Sequence, residues 1–359
     1  MPRQYGSPRK RAAKSTSDTS TLHKGRAGNA TQRDVARLAG VSQSAVSRVY
    51  GNSDYVADDV RQRIEAAAQQ LRYQPDALAR GLISGRSSIV AIVMADIGNP
   101  FYPYVLDLLT DSLQRRGLQV LLFNAARGQT VDDLIPSVLQ YRVQGIIITT
   151  ASLSSGAATL CADNHVPVVM FNRYTHRGGA HAVACDNVLG GEMAADTLAD
   201  ADCRYVAYIG GVATSSTNED RKRGFVSRMG ERRIPLLSVV DHAFTYEWGS
   251  EAVDRILVQW PQLDGLFCAD DAIAFGAIDS LRYRHNLPVP GKVSVVGFDD
   301  IPAANWPPYN LTTIRQPVEQ MVEKALDCIA LPSSTAAKIW KLPGRLIVRG
   351  TVRGRLPQT

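Results

Sequence analysis

Apolar residues follow three different spacings along this chain. Over 1–30 large apolar residues are nearly absent and Ser, Thr and Gly are frequent, which predicts a segment without a packed core. From Thr31 the spacing becomes helical. Val35 and Ala39 lie one turn apart, Gly40 supplies a stop, and a second short helix starts behind Ser42. Ile64, Ala67, Ala68 and Leu71 mark a longer third helix. From 88 onward the pattern turns into Val- and Ile-rich runs at 88–95, 120–124, 145–149, 166–171, 182–185, 205–210, 263–268 and 293–298. Amphipathic stretches such as 104–116 and 189–199 separate most of them. This alternation predicts doubly wound parallel sheets with helices on both faces, and the strands are too many for one compact sheet. Two α/β lobes are expected.

The second short helix has a telling surface. With Gln43 at zero and about 100° per residue, Ser47, Ser44 and Arg48 fall near 40°, 100° and 140°. Ala45, Val49 and Val46 fall near 200°, 240° and 300°. The small apolar face suits packing on Val35, Ala39 and the third helix. The opposite face carries an amide, two hydroxyls and a guanidinium, groups that read base edges in a major groove. Thr31, with Asp34 three residues on, caps the first helix, and Ser42 caps the second. Two helices at a tight turn, followed by a third, predict a helix-turn-helix unit whose partner is double-stranded DNA.

The motifs D-V-A-R-L-A-G-V-S (34–42), A-V-S-R-V (45–49) and Y-Q-P-D-A-L-A-R-G-L (73–82) resemble those of the LacI/GalR (lactose repressor/galactose repressor) family of bacterial transcription regulators. The resemblance runs from about Thr31 to Arg353. It implies a hinge helix behind Pro75, with Leu82 as an apolar wedge in the minor groove. It implies a DNA-contacting set of Thr31, Ser42, Gln43, Ser44, Ser47, Arg48, Asn52, Tyr55, Ala79 and Leu82. Two positions depart from the family pattern: Asp76 stands where Asn is usual, and Ala45 where Thr is frequent. The implied architecture is an N-terminal all-α helix-turn-helix domain with a hinge helix, then a two-lobed periplasmic-binding-protein-like sensor. The expected divisions are a basic arm over 1–29, the DNA unit over 30–74, hinge and linker over 75–87, and the sensor over 88–355. Lobe 1 takes about 88–186 and 318–345, and lobe 2 about 187–317 and 346–355. The motif L-T-T-I-R-Q-P (311–317) looks like a crossover from the second lobe to the first, one of three inter-lobe connections.

Charge adds one feature. The formal net charge is +6, and residues 1–30 hold seven basic groups and one acid, so the whole excess sits there. Such an arm either attracts phosphates or is a solvated leader without a role. It lacks the apolar core of a signal peptide, and no apolar run approaches a membrane span. The five cysteines are scattered without a CxxC, and no Cys/His cluster has metal-ligand spacing, so reduced core thiols in a cytoplasmic protein are expected, with no cofactor or metal.

In doubly wound folds, ligands sit at the carboxyl ends of the strands. The loops there hold Asn99, Phe101 and Tyr102, then Asn172 and Arg173, then Asp186 and Asn187, then Asp270 and Asp271, and finally Asp299 and Asp300. Carboxylates and guanidinium groups bind hydroxyl pairs, and aromatic rings cover C–H faces. The family resemblance implies effector contacts by Phe101, Tyr102, Arg221, Phe244, Tyr246, Asp270 and Asp299, and strand-end position adds Arg173 and Asp186 to the set. Asp186 and Asp271 read equally well as helix caps. Trp248, Trp260, Trp306 and Trp340 read as packing residues. The resemblance implies a repressor with a small carbohydrate-like effector, and a dimer is expected because the tail after Val352 has none of the leucine heptads by which some family members form tetramers. The alternative is an α/β enzyme acting on a carbohydrate-like substrate, fused to a DNA-binding module. No P-loop, G-x-S-x-G or H-E-x-x-H occurs, and the six histidines form no acid–base set.

Overall fold

A computed structural model of the chain describes residues 30–50, 56–74, 87–95, 97–125, 128–149, 153–175, 179–332 and 335–354. The expected basic arm, Asn52, Tyr55 and the hinge segment with Ala79 and Leu82 lie outside the described residues. The chain divides into two compact units between residues 84 and 85.

The first unit contains α1 (Gln32–Ala39), α2 (Gln43–Tyr50) and α3 (Asp58–Gln70). A capping box opens α1: the Asp34 amide donates to Thr31 Oγ1 at 3.3 Å, and the Thr31 amide donates to Asp34 Oδ2 at 3.0 Å. Gly40 ends the helix at φ 64°, a left-handed conformation that costs a glycine least. The Val41 amide then reaches back to the Ala36 carbonyl at 3.0 Å. Val35, Ala36, Ala39, Val46, Val49, Ile64, Ala67 and Ala68 form one buried core, with Leu71 at its rim. This is the helical apolar pattern of the sequence, closed on itself.

The second unit holds two six-stranded sheets. The first is built from β1 (Ile89–Met94), β2 (Gln119–Asn124), β3 (Gly145–Ile148), β4 (Val168–Phe171), β5 (His181–Cys185) and β11 (Ile339–Leu342), in the order β11-β5-β4-β3-β1-β2. The second is built from β6 (Val206–Gly210), β7 (Leu236–Asp241), β8 (Gly265–Cys268), β9 (Ser294–Asp299), β10 (Thr312–Arg315) and β12 (Arg345–Ile347), in the order β12-β10-β9-β8-β6-β7. All pairings are parallel except β10 with β12. Between the strands run α4 (Phe101–Arg115), α5 (Val131–Leu139), α6 (Ser155–Asp163), α7 (Asn187–Asp200), α8 (Ser216–Glu231), α9 (Tyr246–Gln259), α10 (Asp271–Asp279) and α11 (Val318–Ile329).

The two parallel-sheet lobes match the sequence expectation, and all eight apolar runs are strands. Four strands did not stand out as apolar runs. β7, β11 and β12 are only partly buried, so they lack a continuous apolar signal. β10 lies inside the segment expected to be a plain crossover, and its Thr312 and Thr313 are buried but polar. The chain leaves the first sheet after Cys185, returns after Arg315 to pack α11 on α4 and β3 to β5, and crosses again between Leu342 and Arg345. Three segments thus join the lobes.

One close approach positions the site. α7 and α8 meet so tightly that a Cβ on Gly191 would strike the carbonyl of Arg221, and one on Gly224 would strike the carbonyl of Val188. Two glycines therefore set Arg221 against the residues of α7.

Candidate DNA-reading face and effector cleft

On the first unit, Ser42, Gln43, Ser44 and Arg48 are exposed on one side of α2, Ser47 is half-buried, and Val46 and Val49 face the core. Ser42 caps the helix, accepting from the Ala45 amide at 3.2 Å, and its hydroxyl lies 2.9 Å from that of Ser44. Arg48 Nε donates to the Ser44 carbonyl at 3.4 Å, so the guanidinium lies along the helix beside Ser44. The helix stands on a rigid core and offers an amide, hydroxyls and a guanidinium, the groups that direct base readout needs. Thr31 is exposed, with its hydroxyl engaged by Asp34 at 2.7 Å.

In the second unit, residues from both lobes converge at the carboxyl ends of the strands. Asn99, Phe101, Tyr102, Asn172 and Arg173 of the first lobe and Thr217, Arg221, Phe244, Asp270 and Asp299 of the second line a narrow, nearly closed cleft whose cavity volume is about 10 Å³. At its floor, Arg221 is 2% exposed. Its Nε donates to Asn187 Oδ1 at 2.8 Å, its Nη2 to Asp299 Oδ1 at 3.2 Å, and its Nη1 to the Ala269 carbonyl. The guanidinium stacks on Phe298, 3.6 Å from the ring centre. Asp299 also accepts from Gln316 Nε2 at 2.7 Å. Burial pushes the Asp299 carboxyl up, to about 7, against the opposing pull of Arg221. Its backbone has φ 115°, outside the usual range for a side-chain-bearing residue, and such strain collects at functional sites.

The roof comes from the first lobe. Asn99 Nδ2 crosses the cleft to Asp270 Oδ2 at 2.7 Å and to the Phe244 carbonyl at 3.2 Å, while its Oδ1 accepts from the Phe101 amide. Arg173 lies over the Phe244 ring at 5.6 Å. Asn172 adopts φ 70°, a left-handed conformation that Asn tolerates. The buried Asn172 Oδ1 and Arg173 Nε find no protein partner. Buried polar atoms are rarely left so, and here both belong to residues lining the cleft.

Seven of the nine effector residues expected from the sequence meet in this cleft: Phe101, Tyr102, Arg173, Arg221, Phe244, Asp270 and Asp299. Two do not. Asp186 caps α7, accepting from the Leu189 amide at 3.2 Å. Tyr246 is a correction: Thr245 caps α9, so Tyr246 starts the helix, 42% exposed, with its hydroxyl on Asp279 at 2.9 Å and outside the cleft lining. Asp271 takes a structural part, accepting from Thr313 Oγ1 at 2.6 Å and the Ile301 amide at 2.9 Å. Trp306 corrects another expectation, since it is 57% exposed and not a core residue. Trp248 is buried and donates to the Gly210 carbonyl at 2.8 Å, and Trp260 and Trp340 pack partly buried on the core. The five cysteines are buried and free. Asn99, Asn172 and Thr217 complete the lining. Asn99 and Asn172 sit on loops singled out from the sequence. Thr217 was missed, although it lies four residues before Arg221 and so on the same helix face.

Residues 31–76 match the family described as bacterial regulatory proteins, lacI family, and residues 195–352 match the periplasmic binding protein-like domain. The chain is similar to the ribose operon repressor of Escherichia coli (strain K12), 30% identical over 315 residues, covering 84% of this chain and 92% of the relative. It is also similar to the HTH-type transcriptional repressor PurR of Erwinia tasmaniensis, 29% identical over 305 residues, covering 84% and 89%. In fold it resembles the crystal structure of the lac repressor dimer bound to operator and an anti-inducer, with TM-score 0.81 and 21% identity over 90% of this chain and 99% of that one.

Proposed function

The chain belongs to the LacI/GalR family of bacterial transcription regulators, and on that premise we propose that it is a dimeric repressor whose operator affinity is set by a small, neutral, carbohydrate-like effector held between the lobes. The observation that carries this reading is the cleft itself. Two guanidinium groups (Arg173 and Arg221) face two carboxyl groups (Asp270 and Asp299), so the charge of the lining is largely offset before any ligand arrives, with a fractional positive remainder near pH 7 because Asp299 is lifted to about 7. An uncharged polyol suits such a site, with Phe101, Tyr102 and Phe244 offering aromatic faces. Asn172 Oδ1 and Arg173 Nε have hydrogen-bonding capacity to spare. The relatives named for a ribose operon support a pentose as the first candidate.

We read the cleft as a binding site and not a catalytic one, because Arg221 and Asp299 are already committed to each other and to Asn187 and Gln316. DNA reading is assigned to Gln43, Ser44 and Arg48, with Ser42 and Ser47 beside them. A dimer would present two such helices to two half-sites one helical turn apart, in the cytoplasm where the chromosome lies. The effector acts by preferring one lobe arrangement over another, so three connecting segments would carry the change.

A panel of pentoses, hexoses, sugar phosphates and purines, scored by thermal shift of the full chain, tests the effector class. A neutral pentose should raise the transition most. A shift produced only by charged ligands or purines would contradict the charge-balance argument.

A further inference from the structure

Beside the cleft, outside its lining, lies a second polar cluster that joins the lobes. Tyr174 follows β4 in the first lobe, Lys341 lies on β11 of the same lobe, and Asp220 lies on α8 of the second. The Tyr174 hydroxyl donates to Asp220 Oδ2 at 2.5 Å. Lys341 Nζ donates to the same oxygen at 3.0 Å and to the Tyr174 hydroxyl at 3.0 Å, and it rests 4.8 Å from the centre of the Tyr174 ring. The Tyr174 amide adds a further inter-lobe bond, donating to Ser216 Oγ at 3.1 Å. The Asp220 side chain is 3% exposed, and its other oxygen is held by Arg223 of its own helix.

We propose that Tyr174, Lys341 and Asp220 form an inter-lobe latch that holds the cleft closed and so sets effector affinity without touching the effector. The latch part stands on geometry, while its link to affinity rests on the effector reading above. Two of the three residues neighbour the cleft through the backbone: Tyr174 follows Arg173, and Asp220 precedes Arg221. Closing the latch therefore brings a lining residue of the first lobe over a lining residue of the second. The cluster draws on three chain segments, and one of them is the strand between the second and third inter-lobe connections. Opening the lobes would break the two side-chain hydrogen bonds to Asp220 and the Tyr174 amide bond to Ser216, and leave a buried carboxylate without its inter-lobe cation. Burial lifts the Tyr174 phenol above its ordinary range, which keeps it protonated and a donor. A ligand that binds only the closed form has its apparent affinity scaled by the closed fraction.

The test uses the full chain with Tyr174→Phe and Lys341→Met, replacements that keep most of the packing volume. Lys341→Met leaves Asp220 paired with Arg223, so the fold has no unpaired carboxylate to fail on. Amide hydrogen exchange is followed without ligand in two loops: 171–175, and 97–102 at the far side of the cleft, where Asn99 crosses to Asp270. Binding of D-ribose is measured by calorimetry. A latch predicts faster exchange in both loops in both variants. It also predicts D-ribose binding about tenfold weaker, which is about 1.4 kcal/mol. Exchange that changes only around the replaced side chain, with 97–102 as in the parent, would overturn the proposal. If the parent chain binds no D-ribose, the effector reading fails, while exchange at 97–102 still decides the latch either way.

Discussion

Replacing Arg221 by Met tests whether the buried guanidinium is a strut of the sensor as well as a ligand contact. The side chain is 2% exposed and donates to Asn187, Ala269 and Asp299 while stacked on Phe298. Met keeps part of the stem and removes every donor, so Asp299 loses its buried partner. Breaking such a pair from one side typically costs about 3–5 kcal/mol. With each kcal/mol moving the midpoint of a unit of this size by about 2–4 °C, the sensor transition should fall by roughly 6–20 °C. The loss should depend on pH. The Asp299 carboxyl is already lifted to about 7 with Arg221 present, and removing the cation lifts it further. An unfolded aspartate titrates near 3.9, so the folded value is the higher one. Stability linked to this group is then complete below about pH 4 and is lost as pH rises through the folded value, by at most about 1.4 kcal/mol per pH unit. Calorimetry at about pH 5.5 and about pH 8 should show a larger penalty at the higher pH. The double variant Arg221→Met with Asp299→Asn should recover part of the loss, because neither charge is then stranded. A penalty under about 1 kcal/mol, one independent of pH, or a double variant as unstable as the sum of the singles would refute the strut argument.

Three further outcomes are expected. Arg48→Ala should weaken binding to a selected operator by about 1–3 kcal/mol and relax preference at one base pair. Equal weakening on random DNA, in competition by filter binding, would mean that Arg48 touches only phosphate. Asn172→Gly removes a buried oxygen without a protein partner and leaves the φ of 70° accessible, so it should leave the sensor midpoint nearly unchanged while lowering effector affinity by about 1–3 kcal/mol in calorimetry. Deleting residues 1–29 removes seven cationic groups and should flatten the salt dependence of non-specific binding, by roughly 0.9 in log–log slope for each phosphate that the arm neutralises. An unchanged slope would show that the arm stays off the DNA.

Local chemistry was the legible part of this chain. The three helices of the first unit declare themselves through apolar residues at helical spacing and through Thr31, Gly40 and Ser42, whose capping roles need only neighbours in sequence. The central strands of both sheets are buried on both faces and so stand out as continuous apolar runs. Edge strands such as β7 and β12 keep one side partly exposed and lose that mark. The cleft was readable where a residue sits at a strand end, as Asp270 and Asp299 do. It was not readable where partnership is long-range: Asn99 and Asp270 are 171 residues apart, and nothing local announces that one crosses to the other. Tyr246 shows the opposite error, since being two residues from Phe244 says nothing about direction once Thr245 starts a helix between them. Asp186 was open to two readings, and its bond to Leu189 supplies the capping one.

If one chain both reads DNA at α2 and answers to a ligand in the cleft, the two binding events are coupled. Fluorescence anisotropy of a duplex selected by the full chain from random DNA, titrated with and without D-ribose, measures that coupling directly. The sugar should change the affinity for the selected duplex by at least about fivefold, within the usual coupling of about 1–3 kcal/mol, and Asn172→Gly should bind the same duplex but no longer respond. Operator affinity that stays constant while the sugar is bound, shown by calorimetry on the same sample, would contradict it.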